Sequence, residues 1–412
     1  MAPTSSILTP DDFHFSSMET TEDITRYVPG GYHPVVIGDI LSPSPGHSES
    51  RSRQYRIMHK LGFGSYATAW LAQKTDSSKA FVAVKITTAD PGLTREAAML
   101  EAASKTQTDG GKPPHVITLL DHFTLQGPNG THSVLVTDVV APILSLLSPK
   151  RLLLWRRAAA YGLAQAVAHL HNAAIVHGDL HLGNVGLAMP QLADQDPDDV
   201  MQDLSPHELT VVLPTSAANQ TPSLPAYVVA PCALATYYDR ITCSELPQTK
   251  VFDFGSAHEA GTLPLSFQCA VEACAPELVF ARVVENTANP HIEAPADVWA
   301  LGAAIYEIVT GSTLFRGIGL TGLLPQMVAM AGSLPPGYRN WHASLSNPPE
   351  VSPSGADAWW VSRREALRIN CADDAAADAL ITLLRKVLVL DPMARPTAAE
   401  VLQDPWFQQA IR

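Results

Sequence analysis

His177-Gly178-Asp179-Leu180-His181-Leu182-Gly183-Asn184 and, further along, Asp253-Phe254-Gly255 are the stretches whose reading decides the fold. The first has the form H-x-D-L-x-x-x-N and the second is D-F-G. In phosphoryl transfer such a pair supplies a carboxylate for the acceptor hydroxyl, an amide for a metal ion and a second carboxylate for metal. Taken singly, an Asp or Asn in such a place is an ordinary turn or cap residue. Their order gives them weight, together with two motifs upstream: Leu61-Gly62-Phe63-Gly64-Ser65-Tyr66-Ala67 and Val82-Ala83-Val84-Lys85.

Glycines at 62 and 64 let a backbone turn tightly and approach phosphate oxygens. The third glycine of a G-x-G-x-x-G loop is replaced by Ala67, the smallest substitute. By itself this loop also fits a β-hairpin turn with no ligand. Lys85 ends an apolar strand, where a lysine pairs with α- and β-phosphates and with a helix glutamate. Glu96 is the expected partner, because Met99 and Leu100 follow it with core-facing spacing; Glu101 competes on the same helix. Asp179 is expected to accept the hydroxyl proton, and Asn184 and Asp253 to hold Mg²⁺ beside the phosphates of ATP. His177 reads as a structural brace. Glu277 of Ala275-Pro276-Glu277 is expected to form a buried ion pair with Arg395, and Asp297 to bond the backbone of the 177–184 loop.

The chain has 412 residues, 46% hydrophobic and 16% charged, enough to bury a sizeable core in two lobes. A net charge of −13 argues against a nucleic-acid binder and favours basic partners. Five cysteines without a C-x-x-C pair read as reduced thiols of a cytoplasmic or nuclear protein. Residues 1–20 are polar, so no signal peptide is expected, and no apolar run has transmembrane length. Residues 1–50, rich in Ser, Pro, Gly and Thr, read as an extended arm. Residues 51–140 read as strand-rich, with segments near Tyr55–Met58, Ala69–Ala72, Phe81–Ile86 and His132–Thr137 and a helix near 93–104. Residues 141–412 read as mainly helical. They are broken at about 189–248 by a polar, proline-rich insertion expected to be partly disordered. Val211-Val212-Leu213 and Tyr227-Val228-Val229 stand out there as short strand candidates.

In this order the motifs resemble the eukaryotic protein kinase domain from about residue 50 to the end. The segment Tyr27-Val28-Pro29-Gly30-Gly31-Tyr32-His33-Pro34-Val35-Val36-Ile37-Gly38-Asp39, with the insertion ahead of D-F-G, is similar to the SR-protein kinase (SRPK) family of the CMGC group. The resemblance implies an α+β, bilobal fold with a small β-rich N-lobe and a larger helical C-lobe. It implies Mg-ATP-dependent phosphorylation of serine in Arg/Ser-rich splicing factors by a monomer that binds neither nucleic acid nor membrane. It carries catalytic roles to Asp179, Lys85, Glu96 and His181, and metal roles to Asn184 and Asp253. The nucleotide site falls on Leu61, Gly62, Phe63, Gly64, Ser65, Ala83 and Lys85, with Thr137 as gatekeeper and Asp138 to Val140 as the hinge for adenine.

The departures make this a divergent member. Gly178 stands where an arginine is usual, which removes the seat for an activation-loop phosphate. His181 stands where a lysine is usual, and a histidine carries less charge near neutral pH. Gln268-Cys269-Ala270-Val271-Glu272-Ala273-Cys274 lacks the basic and Thr/Gln pattern usual before Ala275. Three other readings stay open: a pseudokinase, a scaffold that docks through residues 1–50 or 189–248, and a small-molecule phosphotransferase, whose H-G-D-x-x-x-x-N loop the 177–184 stretch also resembles.

Overall fold

The computed structural model describes residues 8–14, 20–43, 53–76, 78–89, 95–105, 115–148, 151–242, 245–264, 267–317, 319–371 and 373–408. They form two compact units. The first comprises Met1–Ala98, Thr118–Ala141 and Ala188–Cys243; the second comprises Met99–Ile117, Pro142–Leu187 and Ser244–Arg412.

The first unit is built on a six-stranded antiparallel sheet. Its strands are β1 (Ile40–Leu41), β2 (Tyr55–Gly64), β3 (Ala67–Lys74), β4 (Phe81–Thr87), β5 (Leu119–Gly127) and β6 (Gly130–Thr137), in the order β1-β2-β3-β4-β6-β5. Strands β2 and β3 meet at Gly64 and Ala67, so Ser65 and Tyr66 form the tip of the glycine loop. Lys85 sits between Ala69 of β3 and Leu135 of β6, and that central register fixes its backbone. One face buries Ile57, Trp70, Val82, Val84, Ile86, Val134 and Val136. Alternation of apolar residues along each strand directs them to that face.

The insertion is part of this unit. It carries helices Pro197–Asp203 and Leu234–Thr242 and an antiparallel pair, Leu209–Val211 with Tyr227–Val229. Successive strand residues face opposite ways. Val229 therefore joins the cluster under the sheet, while Val228 joins a second cluster with Phe13, Ile24, Tyr27 and Tyr32 from the N-terminal segment. The Cys232 amide donates to the Lys60 carbonyl at 2.8 Å. The rings of His59 and His207 stack at 4.4 Å. The Ile37 amide donates to the Tyr227 hydroxyl at 3.0 Å.

Three expectations are corrected here. Residues 189–242 are ordered, because their few apolar residues find partners in the sheet core and in the N-terminal segment. That segment, over residues 20–43, is a packed layer with Ile24, Tyr27, Tyr32, Val35 and Leu41 buried, and not an extended arm. The insertion also groups with the strand-rich unit, not with the helical one to which its sequence position assigned it.

The second unit is helical, with Leu153–Asn172 packed against Ala294–Thr310. Leu163, Val167 and Leu170 of the first helix, and Leu301, Ile305 and Ile308 of the second, are almost fully buried. Gly311 ends the second helix in the left-handed conformation at φ +73°. The Arg395 guanidinium forks onto Glu277 at 2.8 and 2.6 Å and also donates to the carbonyls of Pro295 and Val389. Among the described residues no helix is long and apolar enough to cross a membrane.

If the insertion is structural, Val229→Ala should cost about 2 kcal/mol, read as a lowered urea midpoint. Val211→Ala, at a residue 54% exposed, should change little. Equal midpoints for wild type and Val229→Ala would show that the insertion is merely appended.

Candidate active site

A short antiparallel ladder positions the acidic residues of the second unit. Thr249–Val251 pairs with Val185–Leu187, with Val251 opposite Val185. This register sets Asn184 against the residue that precedes Asp253, and the Phe252 amide donates to the Asn184 carbonyl at 3.0 Å. The Asn184 side chain donates to the Asp179 carbonyl at 2.9 Å, which leaves its amide oxygen as the available end. Asp253 has φ +63°, left-handed and rare for a non-glycine residue. Strain of that kind is kept where surrounding structure enforces it, often at functional sites. The donor set therefore suits a hard cation: two oxygen ligands, Asn184 and Asp253, from adjacent backbone segments.

The loop carrying Asp179 hangs from Asp297. The buried Asp297 carboxylate accepts from the amides of His177 at 2.8 Å and Gly178 at 3.0 Å, and pairs with His171 at 3.1 Å. Burial alone would raise this carboxyl. The hydrogen bond and charge of His171, the charge of His177 and the His177 amide outweigh burial and hold it below its usual value. His177 braces the loop from the other side. Its Nε2 lies 3.2 Å from the Phe252 carbonyl, and its ring meets Phe254 edge-on at 5.2 Å. Gly178 adopts φ +77°, and a Cβ built there would lie 3.0 Å from the Ser256 carbonyl. The glycine that replaces arginine thus fits a tight, left-handed position.

His181 Nε2 lies 3.9 Å from an Asp179 oxygen, and its Nδ1 accepts from the Gly183 amide at 3.1 Å. Burial lowers its pKa by more than the Asp179 carboxylate raises it, so the imidazole is neutral near pH 7. At that position the site lacks the fixed positive charge of a lysine.

In the first unit both Glu96 oxygens accept from Lys85 Nζ at 2.8 Å, and Glu96 is buried. Glu101 is exposed, so the choice between the two falls on Glu96. Gly62 and Gly64 have nothing within 4 Å of where a Cβ would stand, which leaves open the cradle that phosphates require. Leu61 and Phe63 alternate with these glycines along β2, and Ser65 follows at the tip. Ala83 pairs with Thr137 across β4 and β6. The Asp138 side chain accepts from the Thr118 amide at 2.7 Å, which fixes the segment leading to Val140.

One expectation fails. Cys269 and Cys274 form a disulfide with Cα atoms 5.6 Å apart, so not all five thiols are reduced. A turn at Val271–Ala273 folds the intervening residues back and brings the two sulfurs together. The bridge borders a small cavity shared with Gly178, Asp179 and Leu180. Two further acidic residues escaped the sequence reading. Glu272 and Glu307 line a cavity of about 170 Å³ beside His181 and Gly183. The available signal was that Glu307 and Asp297 are the only charged residues of the apolar helix Ala294–Thr310.

The protein kinase domain family matches residues 240–407. Serine/threonine-protein kinase SRPK of Physarum polycephalum is 26% identical, over 96% of this chain and 92% of its own length. Serine/threonine-protein kinase SKY1 of Saccharomyces cerevisiae is 34% identical, but over 31% of this chain and 17% of that protein. SRSF protein kinase 3 of Homo sapiens is 31% identical over 30% of this chain and 21% of that protein. With the paired Lys85 and Glu96 in one unit and the braced loop of Asp179 in the other, these matches identify the chain as a serine/threonine protein kinase that resembles the SR-protein kinases.

Proposed function

We propose that the chain transfers the γ-phosphate of Mg-ATP to serines in arginine-rich protein segments. In this reading it acts as a monomer on proteins of mRNA splicing, in cytoplasm and nucleus, without contacting nucleic acid or membrane. The observation that carries the substrate class is the cavity beside His181 and Gly183. Glu307 faces it half-buried, and burial, with Glu272 adding to it, raises the Glu307 carboxyl above its usual range. Among the described residues neither carboxylate has an ion pair. An entering guanidinium would relieve both the desolvation and the repulsion, and its fork suits a carboxylate. The relatives named for SR or SRSF protein kinase activity support the same substrate class.

Asp179 accepts the proton of the serine hydroxyl and aligns its oxygen for attack. Lys85, held by Glu96, fixes phosphate oxygens, while the loop amides about Gly62 and Gly64 close over them. Mg²⁺ held by Asn184 and Asp253 would supply neutralisation of the phosphate charge. Neutral His181 contributes a hydrogen bond but little charge, which favours slow turnover and keeps the pseudokinase as the second reading.

Wild-type protein should label Arg-Ser repeat peptides from γ-³²P-ATP, and Asp179→Asn or Lys85→Met should not. Absence of labelling by wild type that still binds ATP would put the pseudokinase reading first. Glu307→Gln should raise KM for an Arg-Ser peptide about tenfold, the loss of one charge-assisted hydrogen bond, with KM for ATP unchanged. An equal rise on a peptide without arginine would dismiss the cavity as the arginine seat. His181→Lys should raise kcat near pH 7 by about tenfold, equivalent to ~1.4 kcal/mol of added transition-state stabilisation; an unchanged kcat would show that chemistry is not limiting.

A further inference from the structure

A hydrogen bond links the N-terminal segment to the glycine loop. The Tyr32 hydroxyl donates to the carbonyl of Gly64 at 2.7 Å. The same hydroxyl oxygen accepts from Arg26 Nη1 at 2.9 Å, and the Arg26 guanidinium lies 4.7 Å from the centre of the Tyr32 ring. A hydroxyl that accepts from a cation is polarised into a stronger donor. Tyr32 is itself fixed. It is 3% exposed, its amide donates to the Arg26 carbonyl at 3.0 Å, and its carbonyl accepts from the Asn129 side chain at 2.6 Å. Asn129 also donates to the Ser223 carbonyl at 3.1 Å, which ties the hold to the insertion. Behind it, Lys60 of β2 is fully buried, bonded to Glu22 and stacked on Trp70, and Glu22 also accepts from the Tyr27 hydroxyl.

We infer that Tyr32 is a positioning residue for nucleotide binding: through the Gly64 carbonyl it fixes the peptide plane at the tip of the glycine loop. The peptide group is planar and trans, so a carbonyl pinned toward Tyr32 forces the Ser65 amide to point the opposite way. Gly64 pairs with Ala67 of β3, but the tip at Ser65 and Tyr66 lies beyond that pairing, and ordering it on binding costs entropy. Holding the plane beforehand removes part of that cost and raises affinity without a new contact to the ligand. Arg26 acts one step further out, through the polarity of the Tyr32 hydroxyl. The inference rests on the reading of residues 61–66 as an ATP loop.

The test is Tyr32→Phe, which keeps the ring and removes one hydroxyl. Direct ATP binding by titration calorimetry is read with amide hydrogen exchange over residues 61–66, kcat and KM. The expected result is a Kd for ATP raised about five- to tenfold, the worth of one hydrogen bond. Exchange at the loop tip should be faster, while kcat and the peptide KM stay within about twofold of wild type, since neither contains the hydrogen bond. Arg26→Met should move Kd in the same direction by less. Unchanged ATP affinity and loop exchange in Tyr32→Phe would overturn the inference and leave the kinase reading intact. Losses spread equally over ATP, peptide and kcat with a lowered melting temperature would overturn it too, since they mark a general packing role. Wild-type protein that binds no ATP would sink both.

Discussion

A single buried carboxylate organises the phosphoryl-transfer end of the helical unit. Asp297 gathers the amides of His177 and Gly178 and the ring of His171 at hydrogen-bond distance. An ionised group taken out of water is tolerated only when fully bonded. The three donors therefore have to stay where they are, and with them the loop that carries Asp179. The helix Ala294–Thr310 that presents Asp297 is itself anchored, since Arg395 bonds both its first turn, at Pro295, and Glu277. Asp179 inherits its placement from a chain of contacts that begins in the helical core, and the register of Val185 against Val251 does the same for Asn184 and Asp253.

The sequence displayed this half of the site well, because its requirements are local. A loop that must present Asp179 and Asn184 five residues apart, or a left-handed Asp before Phe-Gly, leaves a short readable pattern. Lys85 and Glu96 were legible for a related reason, since a central strand position and a core-facing helix turn both show in the spacing of neighbouring apolar residues. Glu272 and Glu307 were not, because nothing in a single sequence says that an exposed turn and an apolar helix share a cavity. The Cys269–Cys274 bridge was missed because a spacing of five is no recognised pair until the turn between them is known.

The insertion misled for a physical reason too. Its composition, rich in Pro, Asp, Ser and Thr, is what an unpacked segment has. Order was decided by a few residues, Val228, Val229 and Cys232 among them, each buried against chain far away in sequence. Composition averages over a window, whereas packing here depends on single side chains at two adjacent positions facing opposite ways. The N-terminal segment shows the same limitation. Glu22, Tyr27 and Tyr32 become core residues through partners distant in sequence, Lys60 and Gly64 of β2 and Val228 of the insertion.

Because the strand-rich unit is assembled from three separated stretches of chain, its completion has a timetable. Ile57 and Val229 share one cluster, and the Ile37 amide meets the Tyr227 hydroxyl across 190 positions. On a ribosome the sheet strands emerge long before the residues that finish their packing. The nascent unit must wait while the first part of the helical unit is made, with part of its apolar surface still uncovered. Contacts of such sequence separation slow folding and lengthen exposure to aggregation. Synthesis of this chain should therefore lean on chaperones at the strand-rich unit, although its sheet is made before most of the helical unit.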